Sequence, residues 1–145
     1  MNRKKEFNRI IIPVDGSEIS KKAAKKGFFL AKNTGLETLV LYVVDVKPFT
    51  GILPPDEVYN IWKKAIEGEG QKTLDEMIKI SKEMDVNVKT LMIPGKPDEE
   101  IIKEVKKNDL VIMGHKGKAA LDKILIGSIS EKVLHHANAT IMIVR

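Results

Sequence analysis

Short runs of apolar residues alternate along the chain with longer segments in which apolar residues recur every three or four positions. The short runs are rich in β-branched residues and are typical of buried strands. They predict strands at residues 9–14, 38–44, 86–93, 110–113 and 140–144. The longer segments have the helical period and predict one helix between each pair of successive strands. The predicted order is therefore β-α-β-α-β-α-β-α-β.

Residues that favour helix ends give approximate bounds for these helices. Ser17 is a predicted N-cap, and Gly35 closes the first helix after residue 33. The second helix covers about 56–84, with Gly68 and Gly70 as a weak point and Trp62 as a core or interface residue. A turn at 94–97 precedes a short third helix, and the fourth runs from Gly127–Ser128 to about residue 137.

Strands that are separated by helices pair mostly in parallel, because each connection has to return to the same end of the sheet. We therefore expect an α/β protein with one doubly wound, Rossmann-like parallel sheet and helices on both faces. A length of 145 residues fits one compact domain, residues 1–145. In such a sheet, ligands bind outside the carboxyl ends of the strands, where the strand order reverses.

The composition excludes several other classes of protein. A hydrophobic share of 43% argues against disorder, and the absence of cysteine argues against a disulfide-stapled secreted domain. No apolar run approaches the roughly 20 residues that span a bilayer, so we expect no membrane segment and a cytoplasmic protein. The 25 basic residues exceed the 20 acidic ones, but both kinds are interspersed. A nucleic-acid partner is therefore unlikely, and a lysine-rich solvated surface is the simpler interpretation.

Glycines and basic residues cluster just after the fourth strand, in the sequence Gly114, His115, Lys116 and Gly117. Glycines permit positive φ and let backbone N–H groups approach an anion without an intervening Cβ. A helix then begins near Ser128, where free N–H groups and the positive end of the helix dipole favour an anion. The pattern predicts a phosphate site, with a purely structural turn as the alternative.

The same helix start carries a capping-box pattern, Ser128-Ile129-Ser130-Glu131. In this pattern Ser128 is the N-cap and the Glu131 side chain reaches back to it. The turn after the first strand carries Asp15, a carboxylate that either accepts hydrogen bonds from a ribose or base, or caps the following helix beside Ser17. The residues alone leave both roles for Asp15 open.

The chain lacks the marks of the common nucleotide enzymes. Neither the P-loop pattern G-x4-G-K-[ST] nor G-x-G-x-x-G is present, which argues against P-loop ATPases and NAD-dependent dehydrogenases. His135 and His136 are adjacent, so on a helix they point about 100° apart and do not grip one metal together. Asp15 is the one carboxylate near the predicted phosphate turn, which favours binding over catalysis.

The spacing G-x2-G-x9-G-S, formed by Gly114, Gly117, Gly127 and Ser128, resembles the ATP-binding branch of the universal stress protein family. The opening strand and turn at 10–17, the second strand at 41–45 and the turn at 95–97 are also similar to that family, so the resemblance covers nearly the whole length. It implies a five-stranded parallel sheet in the order 3-2-1-4-5, with the first and fourth strands side by side.

The resemblance further implies ATP bound with its phosphates on the glycine turn, residues 114–117, and on the start of the last helix. Magnesium would be held chiefly by the phosphates, with Ser128 or a water completing its shell. Homodimers through antiparallel pairing of the fifth strands, residues 140–144, are also implied. The implied nucleotide-binding residues are Pro13, Val14, Asp15, Val43, Met113, Gly114, His115, Lys116, Gly117, Gly127, Ser128, Ile129 and Ser130.

The sequence leaves three hypotheses about function that experiment can distinguish. The leading hypothesis is an ATP-binding regulatory or stress-associated protein. The first alternative is a weak ATPase or adenylate-handling phosphotransferase. It predicts that the wild type turns over labelled ATP faster than the Gly127→Val control. The second is a nucleotide-free interaction module, from which no nucleotide would be released when the purified protein is unfolded.

Overall fold

The computed structural model describes residues 5–46, 54–117 and 126–145 of the chain. In these residues strands and helices alternate in the predicted order. The elements are β1 (Arg9–Val14), α1 (Glu18–Thr34), β2 (Glu37–Asp45), α2 (Asp56–Glu83), β3 (Lys89–Gly95), α3 (Pro97–Glu104), β4 (Asp109–Gly114), α4 (Ser128–His136) and β5 (Thr140–Val144). No helix in these ranges combines the length and apolar character that a bilayer crossing requires.

The five strands form one parallel sheet in the order β3-β2-β1-β4-β5. Ile10 of β1 lies beside Thr38 of β2 on one side and Leu110 of β4 on the other. The second and third strands therefore lie on one side of β1 and the fourth and fifth on the other, so the strand order reverses between β1 and β4. This arrangement confirms the predicted fold class and strand order, and it brings the turns that begin at Asp15 and Gly114 to the same edge.

The central strand β1 is buried on both of its faces. Ile10 and Ile12 are fully buried on one face, where they pack with residues of α1 and α2 such as Phe28 and Met77. Ile11 points to the opposite face and packs with residues of α3 and α4. This explains why the strand is a continuous run of β-branched residues: a parallel strand covered by helices on both faces has no solvent side.

The bounds of α1 confirm the capping residues that the sequence indicates. Ser17 is the N-cap, and its Oγ accepts a hydrogen bond from the N–H of Ser20 at 3.2 Å. Gly35 ends the helix in the left-handed conformation, with φ at 69°, and its N–H donates to the carbonyl of Ala31. A glycine adopts this conformation without the steric cost that a Cβ adds.

The second helix is unbroken at Gly68 and Gly70. Gly70 is buried, and an ideal Cβ there would lie 2.8 Å from the Tyr42 ring and from the Met92 sulfur, so this glycine lets α2 approach β2 and β3 closely. Gly68 has open space around it. The amino-terminal part of α2 is less buried than its apolar pattern predicts. Ile61, for example, is 71% exposed.

Both predicted ends of the third strand are wrong. β3 covers Lys89–Gly95 instead of residues 86–93. Val86 lies in the turn that closes α2, because its N–H donates to the carbonyl of Ser81 at 2.8 Å, and its side chain is buried. At the other end, pairing with β2 continues as far as Asp45 and Gly95, through residues whose composition indicates a turn. β3 is an edge strand, as its partly polar pattern predicts.

A charged cluster ties β1 to β4 at the amino ends of the two strands. Arg9 donates from Nε and Nη2 to the Asp109 carboxylate, at 2.9 and 3.1 Å. Asp109 is 2% exposed and also accepts from the backbone N–H of Lys106 at 2.6 Å, while Arg9 reaches the carbonyl of Glu104. The hydrogen bond to Asp109 is the main cause that raises the pKa of Arg9. The cluster lies at the end of the sheet opposite the predicted ligand crevice.

Candidate functional site

A cleft with about 540 Å³ of empty space, its open mouth included, lies at the carboxyl ends of β1 and β4. This is the place where the strand order reverses and where parallel sheets bind ligands. Predicted site residues that line the cleft are Pro13, Val14, Asp15, Val43, Met113, Gly114, Lys116, Gly117, Ile129 and Ser130. The fold therefore brings together residues from the first, second and fourth strands and from the start of the last helix.

Three predicted residues, His115, Gly127 and Ser128, do not line the cleft, whereas four that sequence reasoning missed do. The missed residues are Ser20, Leu41, Pro97 and Ile101. Leu41 was accessible to a pattern argument, because residues two apart on a strand share a face and Val43 was already a candidate. No sequence signal points to the two α3 residues, whose position depends on how α3 packs over β2.

One part of the cleft has apolar walls. Leu41 and Val43 come from β2, Met113 from the end of β4, Ile101 from α3 and Ile129 from α4. These side chains belong to the apolar cluster on one face of the sheet, and they line the cleft where that cluster reaches the sheet edge. Such walls favour a flat apolar group, because most of the surface of a bound small molecule is buried against apolar side chains.

Asp15 is the one acidic residue among the described residues that line the cleft, and its geometry bears on the second role, that of a helix cap. Its Oδ1 accepts a hydrogen bond from the N–H of Ser17 at 2.9 Å, while Ser17 itself caps α1. Asp15 therefore shapes the turn but is not the helix cap. Its other oxygen, Oδ2, faces the glycine turn, since an ideal Cβ on Gly117 would lie 2.8 Å away. The carboxylate thus joins the two turns across the crevice.

Tyr42 lies on β2, next to the cleft residues Leu41 and Val43, and it remains uncharged. Burial raises the pKa of its hydroxyl, and the Glu69 and Asp15 carboxylates raise it further. Deprotonation would place a third negative charge near two carboxylates in a poorly solvated position. Tyr42 therefore contributes a neutral ring to the core beside the cleft.

Close packing explains the three glycines of the predicted motif, while positive φ does not. The described glycines with positive φ are Gly16, Gly35 and Gly95, outside this motif. A Cβ on Gly127 would lie 2.9 Å from the Cα of Lys116, and a Cβ on Gly117 would meet Asp15. A side chain on Gly114 would collide with Ile19 of α1. The glycines therefore let the turn, the helix start and the Asp15 turn approach each other.

The predicted capping box is wrong. Gly127, which has no side chain to cap with, is the N-cap of α4, and Ser128 is already the first helical residue. Helical hydrogen bonds begin with the N–H of Glu131, which donates to the carbonyl of Gly127 at 2.9 Å. The N–H groups of Ser128, Ile129 and Ser130 consequently have no acceptor within the helix. They give the helix start a positive potential beside the cleft.

The side chain of Ser130 fastens this helix start to the end of β4. Its buried Oγ donates to the carbonyl of Gly114 at 2.8 Å. The hydroxyl proton is therefore committed, and its oxygen can still accept. Lys116 lines the cleft, whereas Lys118 and Lys123, the next lysines in the sequence, lie outside the described residues.

The described ranges contain no group of three or more histidine or acidic side chains that could hold a metal by themselves. Ser128, the predicted magnesium ligand, is exposed at the first turn of α4. Among the described residues that line the cleft, the oxygen donors are one carboxylate, hydroxyls and backbone groups. A cation there would need most of its oxygen ligands from a bound phosphate or from water, which is how Mg²⁺ is commonly held.

Solved structures share this architecture. Universal stress protein UspA from Lactobacillus plantarum matches with a TM-score of 0.83 and 21% identity, covering 98% of this chain and 100% of that one. An Arabidopsis thaliana universal stress protein family protein with AMP bound matches with a TM-score of 0.60 and 17% identity, over 94% and 90% of the two chains. At these identities the similarity shows the fold.

Sequence similarity shows the family. Universal stress protein MJ0531 of Methanocaldococcus jannaschii is 38% identical over 141 residues, which cover 96% of this chain and 82% of that protein. The sequence model of the universal stress protein family matches residues 6–145, nearly the whole chain. Together with the five-stranded fold, these matches show that the chain belongs to the universal stress protein family.

Proposed function

We propose that this chain, as one domain, binds ATP in the cleft between β1 and β4 and acts as a regulatory protein in the response to stress. The observation that carries the proposal is the meeting of Asp15 and Gly117 across the crevice, next to apolar walls on one side and a helix start on the other. The AMP complex of the Arabidopsis protein supports an adenine nucleotide as the ligand class.

The apolar part of the cleft suits the adenine base. Val43 and Met113 lie on the two strands that flank β1, on the same face of the sheet, so a flat ring placed between them would meet an apolar side chain on each side. Asp15 lies between this region and the glycine turn, where its carboxylate can accept hydrogen bonds from ribose hydroxyls. This order, with the base at the apolar walls and the sugar at Asp15, directs the phosphates towards Gly117.

The glycine turn and the start of α4 suit the phosphates. Gly117 presents backbone without a side chain, Lys116 supplies a positive charge, and the N–H groups of residues 128–130 point out of the helix start. Backbone N–H groups and a helix dipole together favour an anion. Magnesium would be held chiefly by the phosphates, with Ser128 or a water as a further ligand.

Binding is the expected activity, with slow ATP turnover or none. Asp15 is the one carboxylate among the described residues that line the cleft, and its Oδ1 is already engaged by Ser17. Efficient hydrolysis needs a base or a water-positioning group near the terminal phosphate. The conformational state of the bound protein is then the signal that a partner reads.

Calorimetric titration of ATP into the wild type, Asp15→Ala and Gly117→Val tests this proposal. Asp15→Ala is expected to weaken binding about tenfold, because it removes the charged carboxylate that would accept hydrogen bonds from the ribose. Gly117→Val is expected to weaken it further, because the new side chain would meet Asp15. The control is Asp75→Ala, which removes an exposed acidic side chain on α2. Equal affinity in all four proteins would contradict the proposed site.

We also propose that the chain forms a homodimer through antiparallel pairing of β5 with a second copy. β5 is an edge of the sheet, and its three central residues, Ile141, Met142 and Ile143, are half-buried. Phe29 on α1 is 61% exposed and lies with Met142 beside a shallow hollow. An exposed apolar edge strand favours association unless it is covered.

Met142→Lys is expected to yield a monomer, because a charge at the centre of β5 would have to be desolvated against its own symmetry copy. Light scattering with size-exclusion chromatography measures the mass. Ile61→Lys, which places the same charge at an exposed apolar residue of α2, serves as the control and should remain dimeric. A Met142→Lys variant with the mass of a dimer would count against this interface.

A further inference from the structure

His115 connects the glycine turn to the last strand through one carbonyl oxygen. Its backbone N–H donates to the carbonyl of Val144 at 2.8 Å, and its ring Nδ1 lies 3.2 Å from the same oxygen. A carbonyl oxygen has two lone pairs and can accept both hydrogen bonds. Main chain and side chain of His115 are thus both fixed to the end of β5.

This contact determines which ring nitrogen carries the proton. The carbonyl of Val144 can only accept, so Nδ1 of His115 has to be the donor. In the neutral ring, Nε2 is then a bare acceptor. A phosphate oxygen is also an acceptor, so the neutral ring has no hydrogen bond to offer a phosphate. His115 also does not line the cleft, unlike its neighbours Gly114 and Lys116.

The position of His115 nevertheless controls the phosphate end of the cleft. Its own carbonyl accepts from the N–H of Gly127, the N-cap of α4, at 2.6 Å. One residue therefore joins the end of β5, the glycine turn and the start of α4. Lys116 and Gly117, which follow it directly, line the cleft. Any shift of His115 would move those two residues relative to the N–H groups of the helix start.

We propose that His115 is a positioning residue for nucleotide binding: it holds the glycine turn by bonding Val144 and makes no contact with the phosphates. The inference rests on the proposed function, because it assigns a role within the same site. It separates the glycine-turn residues into those that line the cleft and one that orients them.

Three variants test the role of His115 by ATP titration at about pH 8, above the pKa of a free histidine side chain. His115→Phe keeps a ring and removes the donor, and its dissociation constant is expected to rise about tenfold. His115→Asn places an amide donor near the position of Nδ1 and should return to within about threefold of the wild type. His136→Phe, at an exposed histidine of α4, should bind like the wild type.

The ring nitrogen resonances of His115 supply a readout that a general loss of stability would not move. The Nδ1–H tautomer is expected both before and after ATP is added. The Nε2–H tautomer in the free protein, a change of the ring signals to a phosphate-bonded form with ATP, or loss of binding in His115→Asn equal to that in His115→Phe would each overturn the role. Wild type that fails to bind ATP contradicts the proposed function itself, whereas wild-type affinity in His115→Phe contradicts only the inference about His115.

Discussion

Gly127→Val is expected to weaken ATP binding about a hundredfold, a change equivalent to roughly 3 kcal/mol. Gly127 has a φ of −68°, which any residue adopts, so the substitution introduces no backbone strain. Its Cβ would, however, lie 2.9 Å from the Cα of Lys116 and 3.4 Å from the N atom of Gly117. These are backbone atoms, so the glycine turn has to move away from the start of α4, and overpacking of this kind costs about 1–3 kcal/mol.

Gly68→Val is the matched control for this substitution, because Gly68 has no neighbouring atom within 4 Å of an added Cβ. It should bind ATP with wild-type affinity when both variants are measured by calorimetry. Thermal unfolding of each variant shows whether the protein is folded at the titration temperature. Wild-type affinity in Gly127→Val would mean that the approach of the turn to α4 is not needed for binding.

Asp109→Ala is expected to lower the free energy of unfolding by about 3 kcal/mol or more. The substitution leaves the Arg9 guanidinium, whose side chain is only 17% exposed, without its main partner, and it removes the acceptor of the Lys106 N–H. A buried charge that loses its partner retains its desolvation cost. Denaturation in urea, followed by circular dichroism, measures the change.

Glu37→Ala provides the comparison from the protein surface. Glu37 pairs with Lys89 at 2.9 Å, the same distance as Arg9 to Asp109, but the two side chains are 56% and 71% exposed. Exposed pairs of this kind contribute about 0.5 kcal/mol or less. Similar losses in Asp109→Ala and Glu37→Ala would show that burial of the Arg9 cluster has no special weight in the stability of the sheet.

The sequence predicts the fold closely because the three inner strands, β1, β2 and β4, are mostly buried and have a distinct apolar pattern. Ile10, Ile11 and Ile12 are all fully buried, as expected of a parallel strand covered by helices on both faces. The ends of the first helix are predicted equally well, since Ser17 and Gly35 have the residue types that these two ends need. Strand order came from the family resemblance, because the order of strands in a sheet depends on tertiary contacts that periodicity does not contain.

The misplaced details share a physical cause. Val86 has the side chain of a strand residue, yet its backbone hydrogen bond to Ser81 places it in the turn that closes α2. Ser128 and Glu131 have the residue types of a capping box, yet Gly127 takes the cap position because the helix start has to pack against Lys116. In both places the hydrogen bonds and packing at a helix end override the local preference of the residue.

The cleft was predicted in its polar part and missed in part of its apolar wall. Asp15, Gly114 and Gly117 were found because turns at strand ends and glycine spacing are visible in one dimension. Pro97 and Ile101 line the same cleft only because α3 packs over β2. The family resemblance implies His115 among the nucleotide-binding residues. Its ring lies against Val144, since the register of β4 and β5 sets Gly114 beside that residue.

Amide resonances of the ¹⁵N-labelled protein, recorded while ATP and magnesium are added, test the proposed nucleotide site most directly. The signals expected to shift are those of Asp15, Gly117 and Ser130, which come from separate parts of the chain and meet only in the cleft. Signals of the Arg9 and Asp109 cluster, at the opposite end of the sheet, should stay in place. No shift at saturating ATP, or shifts confined to residues away from the cleft, would contradict ATP binding between β1 and β4.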